Sequence, residues 1–256
     1  MARAHKPPVR GLVGQLEREL RRRLSPHRHT VLLAAIILAF LVRPFTGDSG
    51  AGPVLFSLAL FVLLLLALYN ISIDELVGDR EALLAERRRR SIVGWTLGVA
   101  AIVFRFSALF VESRPLQVAD AVAWLFLFAF ITWNQLRAVL KQKEITREVI
   151  SLSISVYLLF GLTFALFYIL LHELQANAFS FGGTAPASDT QSFPVLAYFS
   201  LTTLSTIGFG DITPVTLQAR YAAVTEGITG QFYLAILVAR LVGMQMSQPA
   251  SRDSKS

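Results

Sequence analysis

Six stretches of the chain are apolar for long enough to cross a bilayer, and polar residues gather between them. They cover residues 29–45, 53–71, 91–111, 116–140, 148–171 and 218–243, against the roughly 20 residues that a membrane helix needs. The first is the weakest, with twelve uninterrupted apolar residues from Val31 to Val42. Arg28 and Arg43 can extend it by reaching from its ends toward water. A shorter run, 194–205, lies between the fifth and sixth stretches. As a helix it would be about 18 Å long, too short to cross, so it must enter and leave by the same side. Ser192 is placed to cap this helix, and Pro194 falls in its first turn, where a missing N–H is harmless. Residues 172–192, rich in Gly, Ala, Ser and Thr, read as an exposed loop.

Charge placement orients these spans. The segment 1–28 carries eight basic residues, the loop with Arg80 and Arg87 to Arg90 five, and the loop with Arg137, Lys141, Lys143 and Arg147 four. With all three on the inner side, the outer loops keep only Arg43, Arg114 and Arg220. The positive-inside rule therefore favours six crossings with both ends cytoplasmic. The fifth span then runs outward, the sixth inward, and the short helix enters from outside. Within 1–28, Leu12, Leu16, Leu20 and Leu24 recur beside Val13, the pattern of an amphipathic helix on the inner surface or of a solvated tail.

Composition agrees with this layout: 54% of residues are hydrophobic and 16% charged, where a soluble domain has about 25% charged. The net charge of +7 is spread between spans, as topology requires, and predicts no nucleic-acid partner. The absence of cysteine excludes disulfides, thiolate metal sites and cysteine nucleophiles. The basic start precedes its first apolar run without a small-residue cleavage site, so a retained helix is expected. The polar tail 244–256 leaves any nucleotide or calcium control of gating to another chain.

Between the short helix and the last span lies Thr206-Ile207-Gly208-Phe209-Gly210-Asp211. Glycines two apart let the backbone take positive φ at alternate positions. Successive carbonyls then turn to one side. Thr206, Ile207, Gly208, Phe209 and Gly210 would present a row of oxygens about 3 Å apart, with the Thr206 hydroxyl added. Such a row can replace the water around a cation, making this an expected selectivity filter. One row cannot surround an ion, and the chain has one copy, so a cyclic homotetramer is expected.

The segment resembles the potassium channel family signature Thr-x-Gly-Tyr/Phe-Gly-Asp. The resemblance implies an all-α membrane protein with a re-entrant pore helix and filter between helices five and six. It implies K⁺ at Thr206, Ile207, Gly208 and Phe209, no cofactor beyond the permeant ion, no catalysed reaction, and a place in the cell membrane. Tyr198 and Phe199 resemble the aromatic positions that brace such filters. Asp211 would bond behind the filter or concentrate cations at its mouth. Gly230 falls at the hinge position of the simplest bacterial members, with Gly227 beside it; a hinge or close packing would each account for a glycine there.

Glu226, an acid within the last span, is a functional candidate by default. It is expected to brace the filter through hydroxyls such as Thr202 or Thr203. The resemblance covers 148–243 well and 29–147 in helix number only. Voltage sensors carry Arg or Lys at every third position of the fourth helix, whereas 116–140 holds only Arg137. Arg105 and Asp120 are expected to pair within the outer half of the membrane. Arg87 to Arg90 would anchor orientation, with anionic lipid as the sharper alternative, and Trp95 and Trp124 suit interfacial positions.

Gly208-Phe209-Gly210-Asp211 also matches the Gly-x-Gly-Asp of intramembrane aspartyl proteases. That chemistry needs a second carboxylate, which in those enzymes lies in a Tyr-Asp pair absent here. His172-Glu173 begins a zinc motif that lacks its second histidine. A non-conducting channel subunit is a further alternative, with no need of an intact filter.

Overall fold

The computed structural model describes residues 28–46, 61–63, 65–68, 81–111, 113–142, 144–175, 177–183 and 189–247. All of the expected amphipathic segment 1–28 except Arg28, most of the span 53–71, the loop centre 184–188 and the end of the tail lie outside them. Within them the fold is mostly helical: α1 (Arg28–Thr46), α2 (Glu81–Phe110), α3 (Arg114–Lys141), α4 (Arg147–Leu174), α5 (Asp189–Leu204) and α6 (Leu217–Ser247). Two short strands, β1 (Phe179–Ser180) and β2 (Thr213–Pro214), pair antiparallel. Residues 61–63 and 65–68 are helical as well. Four helices are long and apolar enough to cross a membrane, over Arg89–Ser107, Arg114–Lys141, Arg147–Leu174 and Leu217–Met246.

Two helix starts differ from expectation. α2 begins at Glu81, so Arg87 to Arg90 are helical and not a loop. Ala, Leu, Glu and Arg are all strong helix formers, and the polar run simply continues the apolar one. α5 begins at Asp189, which places Pro194 inside the helix and leaves Ser192 buried in it, not capping it. A proline this close to the start disturbs only the first turn behind it.

The helices pack around two centres. Leu32, Ile36 and Ala39 of α1, Leu63 and Leu68, Leu127, Phe128 and Ile131 of α3, and Leu159, Leu162 and Leu166 of α4 share one apolar core. α3 and α4 run antiparallel: Val139 packs on Leu152 and Val156 at one end, Thr132 bonds Thr163 at 2.9 Å in the middle, and Arg114 donates to the Glu173 carbonyl at the other. α2 runs antiparallel to α3, joined by Arg105 to Asp120 at 3.2 Å and by Gly94 against Phe130. α1 is parallel to α4. The Glu148 carboxylate at the start of α4 accepts from the His29 N–H at 3.0 Å and the Thr30 hydroxyl at 2.6 Å, at the start of α1.

The second centre gathers Tyr168 and Leu171 of α4, Ala178, Phe179, Leu196 and Phe199 of α5, Ile212, and Ala219 and Ala222 of α6. The loop after α4 is therefore not exposed throughout. Phe179 buries its ring against Tyr168 at 5.4 Å and Phe199 at 5.5 Å, and the strand pairing fixes it there.

Candidate ion-conduction site

α5 ends where its sequence changes from helix-forming residues to Thr206-Ile207-Gly208. The turn is held from behind by the helix itself. The Thr206 N–H bonds the Thr203 carbonyl at 3.0 Å, and the Thr202 carbonyl accepts from both Ile207 and Gly208, at 2.9 and 3.2 Å. Beyond this point the backbone alternates, with φ of +59° at Thr206, +53° at Gly208 and +81° at Gly210. The two glycines behave as their spacing predicts. Thr206 is a third left-handed position, and a β-branched residue there is strained. Among the described residues no hydrogen bond reaches the carbonyls of Thr206 to Gly210, and residues 206–211 are exposed.

The aromatic pair beside this segment divides its work. Tyr198 lies parallel to Phe209 at 6.3 Å, with its hydroxyl near enough to the Asp211 carboxylate to interact. Phe199 turns the other way, onto Tyr168 at 5.1 Å. Gly182, at φ +52°, closes over the Asp211 backbone, where a Cβ would stand 2.6 Å from its carbonyl oxygen. Neither Gly182 nor its contact could be foreseen from the loop's composition.

Glu226 is fully buried. Its carboxylate accepts from the Tyr168 hydroxyl of α4 at 2.5 Å and from the Ser200 hydroxyl of α5, which also reaches the Gly161 carbonyl. The expectation of pore-helix hydroxyls at Thr202 or Thr203 is thus corrected in its register. The Thr202 hydroxyl donates within α5, to the Phe199 carbonyl at 2.9 Å. Two residues rotate an α-helix by about 200°, so Ser200 and Thr202 occupy opposed faces.

The end of α5 is enclosed on two more sides. The Tyr157 hydroxyl of α4 donates to the Leu204 carbonyl at 3.2 Å. Gly230 of α6 lies so close that a Cβ would run into the same oxygen, and would come within 2.9 Å of the Leu204 side chain. Gly227 is looser: a Cβ there would stand 3.7 Å from the Thr203 carbonyl oxygen. α6 continues as one helix through both glycines. Close packing accounts for Gly230. A further small residue that sequence reasoning missed is Gly161, where a Cβ would stand 2.8 Å from the Leu201 side chain.

The resulting arrangement offers a run of carbonyl dipoles without partners among the described residues, and a hydroxyl, held by the end of α5, whose Leu204 carbonyl is in turn bonded by Tyr157. It offers Asp211 no carboxylate partner among the acids weighed above, because Asp120 is paired with Arg105 and Glu226 is taken up by Tyr168 and Ser200. Residues 152–246, from α4 to the end of α6, match a protein-family model described as an ion channel. Comparison with curated proteins and with solved structures gives no match. Residues 152–246 are thus similar to an ion channel domain, in a mostly helical chain with four helices long and apolar enough to cross a membrane.

Proposed function

We propose that the protein is a potassium-selective channel that passes K⁺ down its electrochemical gradient, as a homotetramer in the cell membrane. The observation that carries this reading is the alternation of left-handed backbone at Thr206, Gly208 and Gly210. It follows a short helix, and it leaves the carbonyls of Thr206 to Gly210 without hydrogen bonds among the described residues. K⁺ is held by the oxygens of Thr206, Ile207, Gly208 and Phe209, whose fixed dipoles offset the loss of its water. The C-terminal end of α5, negative by its dipole, faces the same path and favours a cation.

Tetramer assembly is supported by what one chain leaves uncovered. Tyr221, Val224, Ile228, Phe232 and Ile236 of α6 are all at least half exposed. An open groove beside them is lined by Thr202, Thr206, Gly208, Val215, Arg220 and Gly227. A neighbouring copy would fill it and supply a second row of carbonyls.

Six crossings are supported by parity. α1 and α4 start on the same side of the membrane, so an even number of crossings separates their starts. α1, α2 and α3 make three, and the helical residues 61–63 and 65–68, whose Leu68 packs where a Cβ on Gly94 of α2 would stand 3.1 Å away, supply the fourth. Asp211, Tyr198 and Phe199 brace the filter, Glu226 ties it to the outer and inner helices, and voltage is not the stimulus, since α3 holds only Arg137 between 116 and 140.

Planar-bilayer recording of the purified protein, with potassium and sodium on opposite sides, tests the proposal. The current should reverse near the potassium equilibrium potential. A reversal potential that follows sodium as closely overturns it.

A further inference from the structure

Arg240 lies ten residues beyond Gly230 on α6, about 15 Å further along the helix. Its guanidinium leaves α6 altogether. Nη1 donates to the Val139 carbonyl at 2.8 Å, and Nη2 to the carbonyls of Leu140 at 2.7 Å and Gln142 at 2.5 Å. These oxygens form the end of α3 and the first residue after it. The last carbonyls of a helix lack partners within it and carry the negative end of its dipole, so a cation is favoured there. Among the described residues one local donor, the Gln142 N–H, reaches them, at the Val139 carbonyl, 3.1 Å away. A planar fork with five donors can serve three such oxygens together; an ammonium group cannot match that geometry.

A second tie lies seven residues before the first. The Tyr233 hydroxyl donates to the Ser153 carbonyl of α4 at 2.8 Å, and its ring packs with Val139, Leu152 and Val156. The two contacts fix α6 at two heights to the end of α3 and the first turns of α4. Beyond Gly230, α6 is otherwise little covered by its own chain: Phe232, Ile236, Val238 and Val242 are all more than half exposed. The partners of Arg240 are backbone oxygens, which cannot follow it by changing rotamer. Any swing of the inner end of α6 must therefore break these bonds or drag the end of α3 along.

We infer that Arg240 is the positioning residue through which the first four helices set the inner end of α6, and with it the balance between open and closed pores. This rests on the channel reading above. It gives the four-helix half a role that needs no voltage-sensing arginines: it is a mechanical reference for the inner helix.

The test is a double-mutant cycle on the reconstituted channel. Arg240→Ala removes the fork, and two glycines inserted between Glu144 and Ile145 slacken the junction while leaving the fork intact. Each should change the open-to-closed ratio by about 5-fold or more, in the same direction, with unitary conductance and the preference for potassium over sodium unchanged. Together they should do no more than either alone, and Arg240→Lys should fall between wild type and Arg240→Ala. If Arg240→Ala does not assemble, the insertion is compared in the wild-type and Arg240→Lys channels, where its effect must shrink. Unchanged open-to-closed ratios in conducting channels, or effects that add in full, overturn the inference. Loss of potassium selectivity in the wild type would overturn the channel reading instead.

Discussion

The Ser200 hydroxyl of α5 bonds the carboxylate of Glu226 on α6, while Tyr168 of α4 holds the other oxygen at 2.5 Å. Three helices are joined at one buried side chain. Glu226→Ala leaves the buried Tyr168 hydroxyl without its acceptor, at about 1–3 kcal/mol, while Ser200 keeps the Gly161 carbonyl. The melting temperature of the purified protein should fall markedly, and the conducting state should become short-lived. Glu226→Gln, which keeps the shape and an acceptor, should lose much less on both measures.

Gly227 and Gly230 should respond in opposite ways to a methyl group. Gly230→Ala forces the Leu204 backbone or α6 to move, at about 1–3 kcal/mol. Gly227→Ala meets only an ordinary contact, and alanine favours a helix interior by about 0.5–1 kcal/mol. Thermal unfolding of the two variants side by side checks this. A Gly230→Ala protein as stable as wild type would contradict the close packing.

Thr206 carries strain that its neighbours at 208 and 210 avoid by being glycine. Thr206→Gly should relieve roughly 1–3 kcal/mol of unfavourable backbone and fold at least as well. It also removes the hydroxyl from the row of oxygens, so the reversal potential should shift toward that of sodium. Stability and selectivity would thus move apart in a single substitution.

Arg105 and Asp120 form a clamp between α2 and α3, not a moving charge. Arg105→Gln leaves the buried Asp120 carboxylate without its charged partner and should cost about 1–3 kcal/mol. The steepness of the conductance–voltage relation should be the same in this variant as in wild type. A clear loss of steepness would mean that the pair senses the field.

The limits of the sequence follow from which distances it encodes. Apolar length and charge bias locate α3, α4 and α6 to within a few residues, because a bilayer imposes both. The glycine spacing foretells the backbone of 208 and 210, since only the local chain decides it. Ser192 and Pro194 imitate a helix start and mislead, because proline is almost as well tolerated one turn further in. Glu226 is conspicuous as an acid in an apolar span, yet the choice of Ser200 over Thr202 depends on the rotation of α5 against α6. Arg240 stands out in the same way, between Ala239 and Leu241, but its carbonyl partners are about 100 positions away and carry no side-chain signature.

The bare outer face of α6 also bears on inheritance. On the tetrameric reading, every chain leans on its neighbours and contributes one wall of a shared path. A cell making normal and filter-defective chains in equal amounts would assemble only a small minority of wholly normal complexes. Damage to one gene copy would then behave as a poison and not as a simple loss. A mutation that blocks assembly, by contrast, would spare the remaining complexes.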